Sequence, residues 1–310
     1  MKRADFIKKI IFFSIAFFIF DKLFYIFLLL SPNLEADKRL EKLVTGNINK
    51  EIIIIGSSRG ARNLIAKQIE DSLHLTSFNL SYPGSDIDFQ NFILKTLLKF
   101  NKTPKIILLS LDDPIEFKKN DFLNFRLDRL YPLARFNYIN DEMIRRGEKN
   151  FLSQFLVLSR INKVNFDLRK KKFNEFDTVR SNGSMPISFT KQNSDLTFNT
   201  IKQQYTSEEE LNIKIDSFLE FQKLCAENNI ELILIFPPNF QIINNQFEKR
   251  IKELTEKNVY TYIYDSTNNI YKDKLYYYDK NHLKENGAIV FTNEIIDFLS
   301  RTNIIKELDK

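Results

Sequence analysis

Five short apolar runs constrain this chain more than anything else in it. They fall at residues 51–55, 77–81, 105–111, 231–236 and 259–264, and the first, third and fourth are almost unbroken Ile and Leu. A strand with one wet face alternates polar and apolar residues, so runs that do not alternate need cover on both sides. Helical patterns lie between them. Ala61, Leu64, Ile65, Ile69 and Leu73 share one helix face, as do Phe89, Phe92, Ile93, Leu97 and Phe100 behind a capping Ser85. Ser207 and Glu210 have capping-box spacing and predict a helix to about residue 228; further helices are expected at 241–257 and 284–300. Strands alternating with helices predict an α/β fold with a parallel five-stranded sheet.

The third and fourth runs are separated by residues 112–206, which carry no strand pattern and are too long for a simple connection. We read them as a largely helical insertion forming a cap or one wall of a cleft. Its aromatic residues, Phe122, Phe125, Tyr131, Phe136 and Tyr138, suit either a core or a lipid-shaped groove.

Ahead of the sheet, residues 10–30 are apolar apart from Ser14, Asp21 and Lys22. As a helix this segment is about 31 Å long, the thickness of a bilayer core. Lys2, Arg3, Lys8 and Lys9 precede it, and the positive-inside bias then leaves residues 32–310 outside the cytoplasm. A cleaved signal peptide with residues 10–20 as its apolar region is the alternative, but it leaves residues 23–30 without a purpose. The Asp21–Lys22 pair near midspan is either tolerated in a one-pass anchor or docked against polar groups of a multi-span partner. The organisation expected is therefore an N-terminal transmembrane anchor at 1–31, a connector at 32–50, and an α/β domain at 51–310 carrying the insertion.

Of the net charge of +6, half belongs to residues 1–31, and the remainder is too small to make the domain a nucleic-acid binder. The one dense basic cluster, Arg169 to Lys172, reads as a solvated face or as a contact for an anionic lipid or polymer. Cys225 is the only cysteine and lies on the apolar stripe of a predicted helix, which suits a buried, inert thiol. Two isolated histidines and one cysteine supply no metal-ligand cluster, so no metal and no cofactor is expected.

Parallel sheets bind ligands at the carboxyl ends of their strands. Gly56-Ser57-Ser58 follows the first strand, Gly84 the second and Asp112-Asp113 the third, while Asp279-Lys280-Asn281-His282 precedes the last helix. A serine hydroxyl becomes a nucleophile only beside a base, and that base needs a third group to orient it. His74 sits at the end of a helix, which leaves His282 as the candidate base and Asp279 as its orienter.

These residues carry a family resemblance. Ile52 to Ser58 resembles the first block of the SGNH/GDSL hydrolase superfamily, Asn79 to Gly84 its second, and Asp279 to Leu283 with Gly287 its last. The resemblance covers about residues 50–112 and 207–300. It implies a flavodoxin-like three-layer α/β/α fold (the SGNH hydrolase fold) and acyl chemistry. Ser58 would attack, with Ser57 as the fallback nucleophile; His282 would move the proton, and Asp279 would hold the imidazole. The backbone N–H groups of Ser58 and Gly84 would face the oxyanion. One position departs from the pattern: the third block's Asn, an oxyanion donor, is replaced by Asp112, which donates only when protonated.

The anchor and the resemblance together look like membrane-anchored proteins of alginate acetylation and teichoic-acid D-alanylation, and Phe236-Pro237-Pro238 is similar to that group. The expected activity is an extracytoplasmic, serine-dependent O-acyltransferase or esterase. Its substrates would be an acylated donor and an envelope glycan or polymer, with a multi-span membrane-bound O-acyltransferase as partner. A non-catalytic scaffold or glycan-binding subunit, and a lipase of membrane lipids, are the competing readings.

Overall fold

The computed structural model describes residues 3–189, 195–201, 204–302 and 304. Lys2, counted above with the N-terminal charge, and residues 190–194 and 202–203 of the insertion lie outside them. Twelve α-helices are described: α1 (Arg3–Leu23), α2 (Tyr25–Leu34), α3 (Arg39–Val44), α4 (Ser58–Asn63), α5 (Ala66–Leu73), α6 (Ile87–Phe100), α7 (Leu127–Leu130), α8 (Asn137–Arg145), α9 (Val157–Arg160), α10 (Asn212–Glu227), α11 (Asn245–Leu254) and α12 (Glu285–Arg301). The strands are β1 (Ile52–Gly56), β2 (Ser77–Asn79), β3 (Ile106–Ser110), β4 (Glu231–Phe236) and β5 (Tyr260–Ile263). The chain divides into two compact units, residues 1–41 with 126–173, and residues 42–125 with 174–310.

The larger unit is an α/β structure around one five-stranded, all-parallel sheet of order β2-β1-β3-β4-β5. Each of the apolar runs supplies one strand. Ile54, Leu108 and Ile233 stand in register and face a core shared with Phe291, Ile295 and Leu299 of α12. Ile53, Ile55, Ile107, Leu109 and Leu234 point the other way and are equally buried, on the side where α6 packs on β1 and α10 on β4. The absence of alternation in the sequence thus corresponds to helices on both faces. The order reverses between β1 and β3, so their carboxyl ends open a crevice at that point.

Several helix ends differ from expectation. The single helix predicted over 61–73 is broken at Leu64 and Ile65, whose backbone is extended. The break is held by side chains: Asn79 Nδ2 donates to the Leu64 carbonyl (3.1 Å), and the Ile65 N–H donates to Thr292 Oγ1 (3.1 Å). Asp86, not Ser85, caps α6, accepting from the Phe89 N–H at 3.0 Å, because Ser85 Oγ is committed to the Gly56 carbonyl at 3.0 Å. The Ser207–Glu210 capping box does not form. Glu210 binds Arg250 and Tyr205 instead, and α10 begins only at Asn212. Cys225 is buried as expected, and that burial pushes its thiol up to about 12.

The smaller unit joins the N-terminal apolar helices to part of the insertion. The run Arg3–Leu34 is long and apolar enough to cross a membrane. Its partners, α7, α8, α9 and short 3-10 turns, are less helical than the expected insertion. Asp21 is fully buried: its carboxylate accepts the N–H groups of Val157 (2.9 Å) and Leu158 (2.8 Å) and pairs with Lys22 (3.0 Å). The pair therefore has its polar partners within this chain. The aromatic residues of the insertion are split, with Phe122 and Phe125 in the larger unit and Tyr131, Phe136 and Tyr138 in the smaller.

Candidate active site

Four loops of the larger unit build the site, and the first is the turn from β1 into α4. Gly56 lies so close to β3 that an added Cβ would meet Ser110 Cβ at 2.7 Å. Ser57 is the N-cap residue, fully buried, and accepts the Arg59 N–H at 3.3 Å. Ser58 is the first helical residue and only half-buried. The cap role turns the Ser57 hydroxyl inward and leaves Ser58 to face the loop before α12.

In that loop Tyr277 and Leu283 are brought opposite each other by a short antiparallel pairing, with the Tyr278 N–H donating to the His282 carbonyl (2.9 Å). The turn between them is tied by Asp279, whose Oδ1 accepts the N–H groups of Asn281 (2.8 Å) and His282 (2.9 Å). The same carboxylate lies 2.9 Å from His282 Nδ1 through both oxygens, and His282 Nε2 lies 2.8 Å from Ser58 Oγ. Burial raises the Asp279 carboxyl, but the hydrogen bond and charge of His282 and the two N–H groups outweigh it and hold the carboxyl below its usual range. Asn63 at the end of α4 accepts the Leu283 N–H at 3.1 Å, fastening this loop to the helix that carries Ser58. Gly287 lets α12 start against the Tyr276 carbonyl, which an added Cβ would meet at 2.8 Å.

Gly84 sits in the turn Tyr82-Pro83-Gly84-Ser85, closed by the Ser85 N–H on the Tyr82 carbonyl at 2.9 Å. Its φ of +75° is the left-handed geometry that a Pro-Gly turn requires at this position. The Tyr82 N–H (2.9 Å) and Ser85 Oγ (3.0 Å) both donate to the Gly56 carbonyl, tying the Gly84 turn to the Ser58 turn.

Asp112 behaves unlike Asp279. It is buried beside the Ser57 hydroxyl, 3.9 Å from Arg59, and burial raises its carboxyl despite both. Its neighbours are acidic too. Burial raises Asp113 to about 6, and burial with the Asp112 charge raises Glu116 to about 8. Glu116 accepts the Asp112 N–H at 2.7 Å, yet Asp112 Oδ2, Asp113 Oδ1 and Glu116 Oε1 are buried with no hydrogen-bond partner among the described residues.

Two arginines and an aromatic wall escaped the sequence reading. Arg59, buried in α4, donates to the Pro237 carbonyl and to the Asp113 carbonyl (3.5 Å), joining the loops after β1, β3 and β4. Arg62 lies 3.4 Å from the Phe176 ring centroid and binds the Phe176 carbonyl (2.7 Å) and Asp177 (3.0 Å). Phe176 presents its ring to His282 edge-on at 6.3 Å and packs against Tyr278, as Phe189 does. The arginines stand three apart on α4, a spacing visible in the sequence, but nothing there pairs them with Pro237 or Phe176. His74 ends α5 in left-handed conformation, away from any role in this series.

These loops define a parallel α/β protein with a Ser–His–Asp hydrogen-bonded series at the carboxyl edge of its sheet. Comparison with models of known protein families and with curated proteins finds no match for the chain.

Proposed function

We propose that the protein is a membrane-anchored, extracytoplasmic serine O-acyltransferase or esterase of the SGNH type, acting on an acylated donor and a cell-envelope glycan or polymer. The observation that carries this reading is the continuous series Ser58 Oγ to His282 Nε2 at 2.8 Å and His282 Nδ1 to Asp279 at 2.9 Å. In it Ser58 Oγ attacks the ester carbonyl and passes its proton to His282 Nε2. Asp279 keeps the Nδ1 proton in place and stabilises the imidazolium. The tetrahedral oxyanion is held by the backbone N–H groups of Ser58 and Gly84. Collapse breaks the ester bond, and the leaving alkoxide takes the proton from Nε2. Water or a glycan hydroxyl then gives its proton to His282 and attacks the acyl-serine; the acyl–oxygen bond breaks, and Nε2 returns that proton to Ser58 Oγ.

Retention of the N-terminal helix as an anchor is supported by Asp21, whose carboxylate caps residues of the insertion and makes the helix a structural part of its unit. A multi-span O-acyltransferase as partner remains part of the proposal, without support from Asp21. The non-catalytic reading, a scaffold or glycan-binding subunit, is favoured by one observation, Asp112 where an amide donor is expected. Labelling of the full chain with a fluorophosphonate separates the two. Covalent labelling lost in Ser58→Ala and kept in Ser57→Ala is the expected result; an unlabelled wild type would sink the catalytic reading.

A further inference from the structure

The stretch of helix free of charge is too short to cross a bilayer by itself. Between Lys9 and Asp21 lie residues 10–20, about 16 Å of helix against a hydrocarbon core of about 30 Å. The remaining depth has to come from beyond Asp21, from a segment the insertion already grips. Leu28 and Ser31 are buried there, and Phe27 packs on Phe166 with ring centroids 5.0 Å apart. Leu23, Ile26, Leu29 and Leu30 are exposed.

The insertion beside this helix has the composition of a surface meant for lipid. Phe151, Leu152, Phe155 and Phe166 are each at least half exposed, at 61%, 54%, 57% and 50%. Irregular backbone tolerates an apolar medium only if its carbonyls find donors inside the protein. Here Lys22 donates to the Phe155 carbonyl (2.9 Å), Lys149 to Ile161 (2.8 Å), Asn165 to Tyr131 (3.2 Å), and Arg160 to Ser153 and Gln154. Asp21 takes the Val157 and Leu158 N–H groups in return. Lys22, its side chain half exposed, has its ammonium paired with the Asp21 carboxylate at 3.0 Å, which lowers the cost of both charges at that depth.

We propose that residues 151–166 form a membrane-embedded wedge whose partner is the lipid bilayer itself, seated in the outer half of the bilayer beside Asp21 and α2 with Phe151, Leu152, Phe155 and Phe166 among the acyl chains. The occupant follows from continuity, because this patch extends the exposed apolar surface of the anchor. The inference rests on the reading of α1 as a membrane anchor.

The chain contains no tryptophan, so single probes report cleanly. Phe12→Trp, Phe151→Trp and Phe155→Trp are made separately in the full chain and reconstituted in phosphatidylcholine–phosphatidylglycerol vesicles with acyl chains brominated at shallow or deep positions. The expected result is blue-shifted emission from all three, with Phe12→Trp, near one end of the span, quenched most by shallow bromine and the other two, level with Lys22, by deep bromine. Water-like emission from Phe151→Trp and Phe155→Trp beside a quenched Phe12→Trp overturns the wedge and leaves the anchor standing. Blue-shifted but unquenched emission from those two means that protein covers the patch, and also overturns it. An unquenched Phe12→Trp removes the anchor, and the wedge with it.

Discussion

On the Ser58 side of the turn after β1, the Asp279 carboxylate meets the His282 ring and two N–H groups, and its charge is held. On the Ser57 side of the same turn, Asp112, Asp113 and Glu116 bring more buried oxygens than the donors around them can satisfy. Both regions place carboxylates in loops at one sheet edge. They differ in where the donors point. Asp279 receives N–H groups from its own turn, whereas Arg59, the cation nearest Asp112 and Asp113, spends its guanidinium on the Pro237 and Asp113 carbonyls. One carboxyl is thereby kept ionised beside a base; the others are pushed toward the protonated form.

The largest expected effect breaks the comparison at its functional end. Asp279→Asn preserves the turn's shape but removes the charge that holds the imidazolium, and fluorophosphonate labelling should slow by about 10²–10⁴-fold. Asp112→Asn leaves the Ser58–His282 bond untouched and should change the rate by less than about tenfold, below the loss of a single oxyanion donor. Equal losses in the two variants would mean that the carboxyls share one role.

Next in size is the pH dependence of stability. Glu116 titrates near 8 in the folded protein and near 4.5 when unfolded. Between those values the folded state binds the extra proton, so stability falls as pH rises, by about 1 kcal/mol per pH unit, and levels off above 8. Asp279 works in the opposite sense: its depressed carboxyl contributes stability above the ordinary value and loses it in acid. Glu116→Gln should flatten the slope between pH 5 and 8 in thermal unfolding of the detergent-solubilised full chain. An unchanged slope would place its source elsewhere.

How much of this was legible depends on the range of the interaction. Strand identity was local, written in runs such as residues 106–109, and topology followed from the need to cover both faces. Ser58 and His282 were findable because a scarce residue type stood at a position the sheet brings to one edge. Helix ends were not, because long-range partners decide them: Thr292 and Asn79 hold the break between α4 and α5, and Arg250 takes Glu210 from its capping box. Arg59, Arg62 and Phe176 carried no signal for the same reason. A guanidinium's partner is a carbonyl or carboxylate more than a hundred residues away in three of those contacts, with Pro237, Phe176 and Asp177.

The smallest expected effect tests the hinge between the two regions. Ser57 caps α4 through the Arg59 N–H and also bonds Asp112, so it serves structure on one side and the acidic cluster on the other. Ser57→Ala should cost about 1 kcal/mol from the lost cap. It also removes a donor that favours the ionised Asp112, raising that carboxyl further. A carboxyl raised in the folded state loses stability as pH climbs, so the cost should be larger at pH 8 than at pH 5. Labelling at Ser58 should persist, since Ser58 keeps its own contact with His282. A cost that is the same at both pH values would leave Ser57 as a helix cap alone and would detach the acidic cluster from the turn that carries Ser58.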